Sequence, residues 1–209
     1  MGSSGVVYAK VPAGGVSALE AAVKAARAVS RHDSPLGVLA VDPAAHAFAI
    51  VDRWGPKDDM PMWSEEPDFS SALELVALSE AVGEVVAFFD IDEGTELGLY
   101  GTWRDGVLVR ELQWAGGEWQ KVEGEPQPWE APLFDAESLA RALEYPQGAE
   151  ADIRAVYAAG QIAQGARWPV PDGIAVHIRA ALRAPAYGFE PWPRRKELVQ
   201  EIRKAEMTR

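Results

Sequence analysis

The chain has 209 residues, no cysteine and a formal net charge of −12, with 48% hydrophobic and 25% charged residues, a composition that supports a packed core and is unlike that of a disordered chain. The lack of cysteine excludes disulfides, thiolate nucleophiles and cysteine-ligated metal centres, and the acidic balance argues against nucleic acid, whose phosphates are met by concentrated Lys and Arg. No stretch approaches the roughly 18 consecutive apolar residues of a membrane span, and no basic patch leads into an apolar run at the N-terminus, so the expectation is a cytoplasmic protein with no membrane contact.

Charge is uneven along the chain. Residues 151–209 carry ten Lys or Arg against six Asp or Glu, whereas residues 1–150 are net −16. An acidic body is followed by a mildly basic tail.

A first strand is predicted over residues 6–10. After punctuation by Pro12, Gly14 and Gly15 a helix follows over 18–29, with Leu19, Ala22, Val23, Ala26 and Val29 at the spacing of one helical face. Ser17 and Glu20 have the spacing of a capping box. Two apolar runs, 36–41 and 47–52, are separated by Asp42, Pro43, Ala44, Ala45 and His46 and read as a hairpin. A second helix is predicted over 72–82, with Leu73, Val76 and Ala77 on one side and a second capping box from Ser71 and Glu74. The apolar run 85–89 is a strand.

This order is the βαββαβ arrangement of a ferredoxin-like antiparallel sheet with both helices on one face. From 97 to 122 the apolar period becomes two, with turn signals at Asp105-Gly106 and Gly116-Gly117, and predicts a three-stranded β-meander that extends the sheet. Leu108, Leu112 and Trp114 are expected on one face of it, Val107, Val109 and Glu111 on the other. A proline-dense stretch, 124–132, leads into a short helix near 136–143. The remainder reads as helical, with segments at 153–162, after Asp172 and after Pro193. The fold class expected is α+β, with a sheet domain over 1–148 and a C-terminal helical segment, 149–209, packed on it.

Few residues point to chemistry. The segment Phe88-Phe89-Asp90-Ile91-Asp92-Glu93-Gly94-Thr95, an apolar strand ending in two aspartates two apart, resembles the first motif of the haloacid dehalogenase superfamily of phosphotransferases. In that family the first aspartate attacks phosphorus and the second acts as acid and base. The resemblance covers eight residues: Glu93 stands where the family places Gly, and a meander follows where parallel βα units belong. Asp90, Asp92, Glu93 and Glu96 therefore read as a solvated strand end. His32, His46 and His177 are scattered, without metal-ligand spacing, and neither a nucleophile elbow nor a phosphate-cradling loop occurs. No cofactor, metal site or catalytic residue is expected from motifs, although a carboxylate pair converging in space leaves no spacing signature.

Tryptophan stands out, with eight in the chain and five between Trp63 and Trp129. Trp103 and Trp114 are expected to cover the sheet, whereas Trp129, in Pro126-Gln127-Pro128-Trp129-Glu130-Ala131-Pro132, is a candidate surface anchor. Met60, Met62 and Trp63, in Met60-Pro61-Met62-Trp63, form a second candidate contact. Two functional readings follow. One is a non-enzymatic binding protein, of the immunity-protein kind in one concrete form, whose acidic surface, with Asp90, Asp92 and Glu93, engages a basic protein partner. The other is a small enzyme or ligand-binding domain with a carboxylate site on the sheet face. The oligomeric state is left open.

Overall fold

The structure, a computed structural model, describes residues 4–30, 34–54, 72–91, 97–144, 146, 148–171 and 173–186, together with 200, 204 and 207. It is an α+β fold built on a six-stranded antiparallel sheet. The strands are β1 (Ser4–Lys10), β2 (Phe48–Trp54), β3 (Glu84–Ile91), β4 (Leu97–Arg104), β5 (Val107–Ala115) and β6 (Glu118–Gly124), in the order β2-β1-β3-β4-β5-β6. Six helices accompany it among the described residues: α1 (Gly15–Val29), α2 (Leu73–Val82), a 3-10 helix (Pro128–Phe134), α3 (Ala136–Glu144), α4 (Glu150–Ala159) and α5 (Ile174–Leu182). None is long and apolar enough to cross a membrane.

The first face of the sheet is covered by α1 and α2, as the two crossovers predict. Val7, Ala9, Val51, Val85, Ala87, Phe89, Leu99 and Trp103 pack there against Leu19, Ala22, Val23 and Ala26 of α1 and Leu75, Leu78 and Val82 of α2. The inner side of α2 is thus Leu75, Leu78 and Val82, and the expected stripe of Leu73, Val76 and Ala77 is only half-buried. Val29 at the end of α1 is exposed.

The first expected capping box, Ser17 with Glu20, does not start α1. Gly15 donates its N–H to the Pro12 carbonyl at 2.8 Å, and α1 begins at Gly15 behind Gly14, which places Ser17 inside the first turn. The cap residue of α2 is Ala72, whose carbonyl accepts from Leu75 and Val76; Ser71 lies outside the described residues.

The expected hairpin over 36–52 is also corrected. Asp42 turns the chain as predicted, its Oδ1 accepting from the Ala44 and Ala45 N–H groups at 3.2 and 3.3 Å, and β2 is its second arm. The first arm is not a strand. Gly37 donates to Val51, but Leu39 and Ala40 both donate to the Ile50 carbonyl, at 2.9 and 3.3 Å. Two donors on one acceptor break the alternation a ladder requires, and a single bridge, Ala40 to Ile50, remains. The chain up to β3 therefore contributes three strands to the sheet where four were expected.

The meander forms as predicted. Both of its turns use left-handed backbone, with φ of 46° and 81° at Asp105 and Gly106 and 61° and 80° at Gly116 and Gly117, as tight hairpins demand. Its facing differs from the expectation because Thr102 pairs Arg110 while Trp103 pairs Leu108. Val109 is the extra residue of a bulge, and a bulge shifts the alternation by one. Leu108 consequently packs on the first face and Leu112 and Trp114 on the second.

That second face is covered from the C-terminal half. Val6, Tyr8, Ile50, Phe88, Tyr100, Leu112, Trp114 and Trp119 meet Trp129 and Leu133 of the 3-10 helix, Ile162, and Ile174, Ile178 and Leu182 of α5. The loop before α5 also reaches the outer edge of β6: Trp119 N–H donates to Ala166, Gly165 N–H donates to Trp119, and the Trp119 indole donates to the Pro169 carbonyl at 2.8 Å. A smaller cluster joins α3 to α4 through Ala142, Ile153 and Tyr157. Burial there raises the pKa of the Tyr157 phenol, which packs edge-on against Phe134 with ring centres 5.8 Å apart.

Candidate functional site

The sequence candidates separate on the structure. Met60, Met62, Trp63, Asp92 and Glu93 lie outside the described residues. Asp90 is a β3 residue whose backbone pairs Gly98 on β4 and Ser4 on β1. Strand β3 is antiparallel to both neighbours and leads into β4, so the parallel strand-then-helix frame of the haloacid dehalogenase motif is not present around Asp90.

Trp129 corrects an expectation. It is 2% exposed, its ring 6.5 Å from that of Tyr100 in the second core, and offers no surface to a partner. Trp103 and Trp114 are buried as anticipated, and Trp119 joins them, stacked edge-on to Trp114 at 5.2 Å. Large rings bury much apolar area per residue, and here the meander and the 3-10 helix direct four of them inward.

The densest polar constellation in the described residues holds Trp129 in place. Arg110 points from β5 to the second face, where its Nε and Nη2 donate to the two carboxylate oxygens of Glu130 at 2.9 and 2.6 Å, and its Nη1 donates to the Gly124 carbonyl at 2.8 Å. Both side chains are almost fully buried, at 2% and 3% exposure. Glu130 Oε1 also accepts the Gln127 N–H at 2.7 Å, and Gln127 Oε1 accepts from Arg104, which pairs with Glu84. Charge, hydrogen bonds and planar geometry are all matched, the condition under which a buried ion pair is tolerated. This cluster is a clasp for the 3-10 helix, and both carboxylate oxygens of Glu130 already have donors.

Glu111, one residue along β5, faces the opposite side and pairs with Lys121 at 2.7 Å, while Lys121 also approaches Glu123 at 3.7 Å. Glu111 and Glu130 therefore do not share a site. Among the described residues no group of three or more His, Asp or Glu is placed to hold a metal ion.

Acidic side chains dominate the exterior over one run of chain. Between residues 123 and 152, Glu123, Glu125, Asp135, Glu137, Glu144, Glu150 and Asp152 are exposed, against one exposed basic residue, Arg141. Glu150 pairs with Arg154 one turn on at 2.7 Å, and Asp135 caps α3: its Oδ1 accepts the Ser138 N–H at 2.7 Å, and that backbone bond holds its carboxyl below the usual carboxylate range. Composition puts net negative charge in residues 1–150 without locating it on this run. The signal was there in the spacing of acids around the meander's last strand and the two following helices.

No family model matches the chain, and neither any curated protein nor any solved structure is significantly similar to it.

Proposed function

We propose that this chain is a non-enzymatic binding protein whose acidic body engages a basic protein partner, an immunity-protein-like role being one concrete form. The observation that carries the reading is the exposed run from 123 to 152, with seven acids against one base, beside an interior whose described buried Arg110, Glu111 and Glu130 are already ion-paired. Concentrated like charge steers an oppositely charged partner and raises its rate of encounter. With Trp129 internal, the apolar hold falls to Met60-Pro61-Met62-Trp63, and Asp90, Asp92 and Glu93 add to the acidic field. Glu130 offers the alternative carboxylate site little support, because Arg110 neutralises it.

We read the first half as a ferredoxin-like βαββαβ unit with a reduced outer strand. The sequence β3-β1-β2 across the sheet, with 36–41 running beside β2, supports it. A cytoplasmic location accords with the absence of cysteine.

The test is kinetic. A partner captured by the wild-type chain is measured against a variant carrying Glu123→Lys, Glu125→Lys, Glu137→Lys and Asp152→Lys. Association with wild type is expected to slow about tenfold or more from low to high salt, and the variant to bind slowly at all salt concentrations. Rates indifferent to both salt and charge reversal would overturn the proposal.

A further inference from the structure

We draw no further inference here: the strongest candidate, the acidic outer edge of β6 around Val122 and Glu123, carries nothing, because the loop at Gly165 and Ala166 already takes its backbone at Trp119 and nothing in the structure shows what covers the rest.

Discussion

Glu130→Gln tests whether the clasp between β5 and the 3-10 helix stabilises the second core. The substitution keeps size and shape, but it leaves the buried Arg110 guanidinium without its counter-charge and sets an amide NH₂ against one of two donors, Nε or Nη2, that now lie 2.9 and 2.6 Å from carboxylate oxygens. Removing one partner of a buried, bidentate pair costs about 3–5 kcal/mol. For a chain of this length that corresponds to a fall in Tm of roughly 6–20 °C. The companion variant, Arg110→Met with Glu130→Leu, replaces both charges with apolar groups of similar volume and is expected to unfold within about 2 kcal/mol of wild type, because no charge is left stranded. Urea unfolding followed by far-ultraviolet circular dichroism and tryptophan fluorescence measures both. If Glu130→Gln costs less than about 1 kcal/mol, the pair behaves as a solvated one and the reasoning fails. A double variant at least as damaged as the single one refutes it equally.

Thr102 is fully buried and its hydroxyl has no hydrogen-bond partner among the described residues, so Thr102→Val is expected to be neutral or stabilising by up to about 1 kcal/mol in the same urea assay; a clear loss of stability would reveal a hidden partner. Gly124 has φ +82° and a Cβ there would strike the Val109 carbonyl, so Gly124→Ala is expected to cost more than about 1 kcal/mol, and an unchanged unfolding midpoint would contradict the pairing at the end of β6. Asp135→Ala is expected to lower Tm at neutral pH. Because the folded Asp135 carboxyl titrates below its ordinary 3.8, its contribution is present above that value and is lost as pH falls through the lowered pKa. The difference in Tm between the variant and wild type is therefore expected to shrink in acid, and a constant difference would remove the cap from the account.

Much of the fold was legible because it rests on local pattern. The meander announced itself through period-two apolarity and two turn dipeptides whose residues tolerate positive φ, and α1 through Leu19, Ala22, Val23 and Ala26. What failed was settled by single backbone bonds. A Gly15 N–H turned onto Pro12 starts α1 early, and no side-chain rule sees it. Val109 bulges where the Gly124 backbone lies close to the Val109 carbonyl, a contact across the β5–β6 hairpin that apolar alternation does not record, and the bulge reverses the side on which Leu108 falls. The run 36–41 is apolar enough for a strand, but its N–H groups converge on Ile50 instead of alternating.

The site was less legible, and Trp129 shows why. Proline on either side makes a stiff loop, and stiffness suits an anchor and a buried wedge alike. A discriminating signal was nevertheless present in β5, where Arg110 shares the alternation of Leu112 and Trp114. A cation projected toward an apolar face requires a buried anion beside it, and Glu130 is that anion; meeting Arg110 carries its neighbour Trp129 inward. This removes the aromatic that was to supply hold at the acidic surface. Exposed charge is screened beyond about 8 Å at physiological salt, so charge alone gives fast, salt-sensitive and weak association. Tight binding to a basic partner then requires apolar contact, a role we propose for Met60-Pro61-Met62-Trp63.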